Sequence, residues 1–132
     1  MLNKLPWRWR VRKRVVGGGC WRGVAQLSFC DGLRLHEQGA WEEGLERGEQ
    51  MLRWGDGVLQ VGEGARQHCY RLKRERGRLV GEYVCGQDVY GFCGPSVEQM
   101  QQMERFYLWW WVNEVAKRWA LVAEYRVENT NR

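Results

Sequence analysis

The chain has 132 residues, nine of them Trp, and a formal net charge of +5. This length suits one domain, residues 1–132, which can bury a core without disulfide staples. The apolar run FYLWWWV is far shorter than the roughly 18 residues of a membrane-spanning helix, so we expect no membrane span.

The charge distribution and the cysteines bear on cellular location and on whether a metal is bound. Seven Lys and Arg residues precede Asp31, the first acidic residue, and such an N-terminus resembles a mitochondrial presequence. Presequences are Ser-rich amphipathic helices, however, and no Ser precedes Ser28, so this interpretation is disfavoured. The chain has an odd number of Cys, five, and no CxxC motif, which favours reduced thiols in a cytoplasmic protein. With only two His to join them, we expect neither a metal nor a cofactor.

The first predicted element is a strand within PWRWRVRKRVV, residues 6–16. Trp7, Trp9 and Val11 occupy odd positions, and Arg residues occupy the even ones. A period of two is typical of a strand with one buried face. We therefore predict that the Trp/Val face is buried and that the Arg face lies in solvent.

The same alternation recurs along the chain between short turn signals. Strands are predicted over 21–29 and 33–41 around the turn CDG, and over 50–54 and 58–61 around GDG. After GEGA, strands over 67–72 and 79–85 flank KRERG, and DVYGF forms a further short strand. Eight or so strands with turns every 8–12 residues indicate an antiparallel barrel or sandwich.

The C-terminal region allows two interpretations. Residues 97–111 have some helical spacing, but Phe106, Leu108, Trp110 and Val112 alternate, as do residues 119–127. The aromatic and β-branched content favours two strands with a turn near 113–116, preceded by a short helix near 96–103. The predicted fold is therefore all-β, an antiparallel up-and-down barrel of about 8–10 strands.

Several segments resemble a bacterial lipocalin-like, calycin-type β-barrel family of unknown function. They are LPWRWRV…GGGCWRGVAQL, LRLHEQGAW, YVCGQDVYGF and FYLWWWVNEVAKRWALVAEYRV. Cys85, Asp88 and Tyr90 fit the family's His-x-Cys-x-x-Asp-x-Tyr segment, but Tyr83 stands where the family has His. In the closing hairpin, residues 114–115 are Glu-Val where the family has Gly-Pro. The resemblance implies a barrel with an internal pocket and names no substrate.

Three polar residues are candidates for chemistry inside such a barrel. Alternation puts Glu37 on the face of Leu35 and Trp41, where it is either a polar anchor for a ligand, a partner of an internal Arg, or turned outward by a bulge. His68 is either a pocket base or haem ligand, or an ordinary core histidine. Asp88 either contacts a ligand or His68, or caps a turn.

Aromatic side chains complete the predicted pocket, because a lining of flat rings can hold a flat apolar ligand. Trp109 and Trp111 lie on the opposite face from Trp110, so we expect them outside the barrel. The nine predicted ligand-binding residues are Glu37, Trp41, His68, Tyr70, Tyr83, Asp88, Tyr90, Trp110 and Trp119.

These features favour a cytoplasmic lipocalin-like protein that binds a small lipophilic or aromatic molecule. The chain has no GxSxG, P-loop, HExxH or GxGxxG motif, although an enzyme using Glu37, Asp88 or His68 stays an alternative. A nucleic-acid-binding barrel with an outer Arg face is the less favoured alternative. A homodimer is compatible with the sequence.

Overall fold

A computed structural model describes residues 8–29, 32–42, 47–62, 67–113 and 119–128. Within these ranges the chain forms ten strands and a four-residue helix, which is too short to cross a bilayer. The elements are β1 (Arg8–Val15), β2 (Cys20–Phe29), β3 (Leu33–Trp41), β4 (Arg47–Gly55), β5 (Val58–Val61), β6 (His68–Glu75), β7 (Arg78–Cys85), β8 (Asp88–Gly94), α1 (Val97–Met100), β9 (Arg105–Val112) and β10 (Trp119–Val127).

The strands close into a ten-stranded antiparallel barrel, which confirms the predicted up-and-down fold. Each strand pairs with its neighbour in sequence, and β1 closes the sheet by pairing with β10. Two-residue turns at Asp56–Gly57 and Arg76–Gly77 join β4 to β5 and β6 to β7, and all four residues have positive φ. That conformation is the type I′ hairpin, whose twist matches that of the flanking strands.

The first strand shows why the N-terminal pattern is so regular. Trp9 and Val11 are 0% and 3% exposed, whereas Arg8, Arg10 and Arg12 are exposed. The buried Trp/Val face is therefore confirmed for the part of the strand that the structure describes. The predicted Trp7, the CD of CDG and most of GEGA lie outside the described residues.

The C-terminal region forms two strands, and the alternative of one long helix is wrong. β9 and β10 pair in register, with Trp110 opposite Leu121 and Leu108 opposite Ala123. The short helix is present as α1, where Ser96 and Gln99 form a reciprocal capping box. The turn predicted near 113–116 begins at Asn113 and otherwise lies outside the described residues.

The two ends of the barrel interior differ. The closed end carries α1 and the β4–β5 and β6–β7 turns, and Met100 of α1 is 1% exposed there. The opposite end carries the β1–β2 and β7–β8 turns, and we call it the open end because its inward side chains His68, Tyr83 and Tyr90 are only half-buried. The segments 43–46, 63–66 and 114–118, which join the other strand pairs there, lie outside the described residues. Large apolar residues fill the closed end and the middle, among them Trp9, Leu33, Leu35, Leu52, Trp54, Leu59, Phe92, Phe106, Leu108 and Tyr125.

Candidate functional site

The open end contains a group of aromatic rings on three neighbouring strands, which we call the aromatic wall: His68 and Tyr70 on β6, Tyr83 on β7 and Tyr90 on β8. The rings of His68 and Tyr83 are stacked, with centroids 4.7 Å apart and planes 13° apart. Tyr90 lies 5.9 Å from His68 and 5.8 Å from Tyr83. These distances are those of attractive aromatic pairs.

The aromatic wall extends from the rim into the barrel, and its side chains are more deeply buried further inside. Tyr70 is 4% exposed, and burial, with smaller effects of Tyr90 and Tyr83, raises the pKa of Tyr70 to about 12. The ring centroid of Phe92 lies 6.2 Å from Tyr70, and that of Trp110 lies 5.3 Å from Phe92. Near the rim, the pKa of Tyr83 is also raised, chiefly by the neighbouring Cys85 and to a smaller extent by burial.

A polar cluster consists of the buried residues Lys13, Glu37 and Tyr125 and the exposed Gln50. The Lys13 ammonium donates to Glu37 Oε1 at 2.5 Å and to Gln50 Oε1 at 3.2 Å, and the Tyr125 hydroxyl donates to Glu37 Oε2. Glu37 is 0% exposed and Lys13 is 6% exposed, so each charge needs the other. Burial and the Glu37 carboxylate raise the pKa of Tyr125 well above its usual value.

Trp21 covers this polar cluster. Its ring centroid lies 4.6 Å from the Lys13 ammonium, within the range of a cation–π contact. The indole fits because Gly23 and Gly39 lie beneath it: a Cβ on either residue would come within 2.6 Å of a Trp21 ring atom. Both positions therefore require glycine if Trp21 is to fold over Lys13.

The structure brings four of the nine predicted residues together in the aromatic wall and connects a fifth, Trp110, through Phe92. Glu37 points into the barrel, and of the three predicted alternatives the structure shows an internal ion pair. The cation is Lys13 rather than an Arg. The ladder is regular here, with Glu37 between Ala25 and Gln50 and without a bulge.

Two of the remaining predicted site residues, Trp41 and Asp88, lie elsewhere. The expectation that Trp41 shares the buried face of β3 is wrong: it is 39% exposed, because β3 ends there and its register partner Trp21 covers the interior. Asp88 accepts a hydrogen bond from the Asn113 amide at 2.8 Å, and Asn113 Oδ1 accepts one from the Val89 N–H. The Asp88 side chain therefore connects the start of β8 to the residue that follows β9, and its bond to Asn113 is not a contact with His68. The side chain of Trp119 lies outside the described part of the structure.

Sequence reasoning missed Lys13, Gln50 and Tyr125 as members of the polar cluster. The signal for Lys13 was present, because it occupies an odd position like Trp9 and Val11. A lysine on the buried face of β1 and a glutamate on the buried face of β3 are natural partners. Among the described residues, no three His, Cys, Asp or Glu side chains come together as a metal site requires.

Comparisons with known proteins do not assign a family. No family model and no curated protein matches the chain. A solved structure described as a redesigned beta barrel, mFAP1, bound to DFHBI is similar over 92% of this chain and 94% of that one, with 13% sequence identity and a TM-score of 0.46. A similarity this low carries no argument about function, and the barrel fold rests on the strand pairing described above.

Proposed function

We propose that this chain is a lipocalin-like binding protein that takes a small apolar or aromatic molecule into the open end of its barrel. The observation that supports the proposal most is the stack of His68 on Tyr83, with Tyr90 beside it, on the inner wall where the side chains are only half-buried. Half-exposed rings at the entrance of a barrel offer a flat apolar surface that a ligand can cover.

The polar atoms of the aromatic wall suggest the ligand's hydrogen-bonding groups. The Tyr70 hydroxyl is protonated at neutral pH, as an ordinary tyrosine is, and can donate a hydrogen bond. A phenolate would repel an electron-rich ligand, whereas a neutral phenol binds a carbonyl or ether oxygen. The favoured ligand is therefore a flat molecule with an acceptor group that can reach the Tyr70 hydroxyl.

The polar cluster supports a binding role better than a catalytic one. Both oxygens of Glu37 accept hydrogen bonds, and the Lys13 ammonium is engaged by Glu37, Gln50 and the face of Trp21. A general base must come within hydrogen-bond distance of its substrate, and Glu37 is 0% exposed. Glu37 therefore acts as a rigid internal support, and the enzyme alternative loses its strongest residue.

The cysteines fit the cytoplasmic location that we propose. Among the described residues Cys20, Cys69, Cys85 and Cys93 are free thiols, and Cys69 and Cys85 are exposed. Exposed free thiols suit a reducing compartment.

The test uses N-phenyl-1-naphthylamine, a flat neutral probe that the arginines cannot attract by charge. We expect saturable 1:1 binding, measured by probe fluorescence and native mass spectrometry. Tyr83→Leu is expected to weaken binding about tenfold, a loss of roughly 1.4 kcal/mol. The matched control is Tyr107→Leu, since Tyr107 lies on the outside of β9 and is 42% exposed.

Two results would contradict the proposal. One is the absence of saturable binding for this probe and for a panel of flat carbonyl-containing aromatics. The other is equal weakening by Tyr83→Leu and Tyr107→Leu, which would place the probe outside the barrel.

A further inference from the structure

The outside of the barrel has a strongly basic face that the proposed ligand site does not use. It is formed by four adjacent strands, in the order β2–β1–β10–β9. These strands contain one acidic residue, Glu124, and seven exposed arginines, which define the arginine face: Arg8, Arg10, Arg12, Arg14, Arg22, Arg105 and Arg126. Just beyond the strand ends, Glu128 pairs with Arg8 and Glu42 pairs with Arg22, and the positive charge that remains in excess on this surface attracts polyanions.

Glu124 organises part of the arginine face rather than neutralising it. It lies 3.2 Å from an Arg12 guanidinium nitrogen and 3.8 Å from one of Arg105, and it accepts a hydrogen bond from the Tyr107 hydroxyl at 3.2 Å. For Arg10 and Arg14, no carboxylate among the described residues lies within salt-bridge distance. Their guanidinium groups can therefore bind phosphate oxygens.

Exposed aromatic rings lie next to these arginines. Trp109 and Tyr107 on β9 are 46% and 42% exposed. The register places Val122 between Arg14 and Trp109, and Glu124 between Arg12 and Tyr107. The backbone of each of these two arginines therefore lies two strand spacings, about 10 Å, from the backbone of an aromatic residue.

A groove lies between Arg12 and Arg14 on one side and Tyr107 and Trp109 on the other. It has a volume of about 640 Å³, and Val122, Glu124 and the Gly17–Gly19 turn also line it. This size lies within the range of sites that hold small flat ligands such as a nucleobase. Arginine on one side and an aromatic ring on the other are what a nucleotide requires, since it has a phosphate at one end and a base at the other.

We propose that the arginine face binds single-stranded nucleic acid, with phosphates at Arg10 and Arg14, on either side of the Arg12–Glu124 ion pair, and bases on Tyr107 and Trp109. The three arginines repeat every second residue along β1, about 6.6 Å apart, a spacing comparable to that of successive phosphates in an extended strand. Stacking needs unpaired bases, which favours a single strand over a duplex. An acidic peptide would contact the arginines and leave both rings without a flat partner, and an anionic membrane has no bases for them to stack on.

The experiment measures fluorescence anisotropy of a labelled oligothymidylate of about 12 nucleotides across a salt series. Arg10→Gln plus Arg14→Gln should lower affinity at least about tenfold and reduce the slope of log affinity against log salt by about 1.4, the value for two lost phosphate contacts. Trp109→Leu should also lower affinity about tenfold but leave the salt slope unchanged, because stacking releases no counterions.

The matched control is Arg53→Gln plus Arg71→Gln, which removes the same charge from exposed positions on β4 and β6. Circular dichroism verifies that each variant is folded. The proposal is overturned if the oligonucleotide does not bind at about 20 mM salt, or if the control pair weakens binding as much as the test pair. It is also overturned if Trp109→Leu has no effect while phosphatidylserine vesicles or polyglutamate bind with the same Arg10 and Arg14 dependence, because the partner is then another polyanion.

Discussion

The two ends of the barrel interior follow the same alternation of side chains but contain different chemistry. At the closed end, Trp9 packs edge-on against Phe106 with ring centroids 5.0 Å apart, and both are at most 1% exposed. At the open end, the inner wall carries the half-buried His68–Tyr83 stack and the Lys13–Glu37 ion pair. Burial of apolar area therefore stabilises the closed end. The open end keeps polar groups and partly exposed rings that contribute little to folding.

The largest effect is expected at the closed end. Trp9→Ala should lower the free energy of unfolding by about 3–5 kcal/mol, because it removes a fully buried indole and leaves a cavity. Trp9→Phe should have a much smaller effect, under about 1.5 kcal/mol, partly because the indole Nε1 has no hydrogen-bond partner among the described residues. Urea denaturation measures both. A small effect of Trp9→Ala would mean that the closed end is not the stabilising region.

The next effect concerns the ion pair at the open end. Lys13→Met should destabilise by about 3 kcal/mol, because Glu37 is left buried without its cation. The triple variant Lys13→Met, Glu37→Leu and Tyr125→Phe removes every buried partner and should return to within about 1 kcal/mol of wild type. If the triple variant is as unstable as the single one, the polar cluster stabilises the fold directly and the contrast between the two ends fails.

The barrel wall could be predicted from the sequence because its signal is local. A period of two, as in Trp9 and Val11 or in Phe106 and Leu108, indicates which face of a strand is buried. It does so whatever the position of that strand in the barrel. Positive-φ turns such as Asp56–Gly57 mark where strands reverse. Both signals come from residues within a few positions of one another.

The site could be predicted only in part, because its contacts depend on register. Alternation places Lys13 and Glu37 inside, but a shift of two residues between strands keeps both faces and changes every partner. The meeting of Lys13 with Glu37 depends on the alignment of β1 with β2 and of β2 with β3. Trp41 was misplaced for a related reason, since alternation cannot tell where a strand leaves the barrel.

A smaller effect is expected from pH. The pKa of Tyr70 is about 12 in the folded protein, above the value of about 10 in an unfolded chain, and the pKa of Tyr125 is also raised. Both hydroxyls favour the folded state fully below pH 10, and this contribution is lost as the pH rises toward 12 because the unfolded chain ionises first. Urea unfolding between about pH 9 and pH 11.5 should show falling stability, with a shallower fall in Tyr70→Phe. An identical fall in that variant would contradict the burial of Tyr70.

The smallest effect on stability is expected at the aromatic wall itself. Tyr83→Phe keeps the ring that stacks on His68 and removes a hydroxyl near the rim, so the free energy of unfolding should change by less than about 0.5 kcal/mol. Binding of N-phenyl-1-naphthylamine should change less than about twofold, because that probe has no carbonyl or ether acceptor for the hydroxyl. Tyr83→Leu, which removes the stacked ring, should weaken the same probe about tenfold. A large loss of stability in Tyr83→Phe would show that the open end is as tightly packed as the closed end, and the comparison between them would no longer hold.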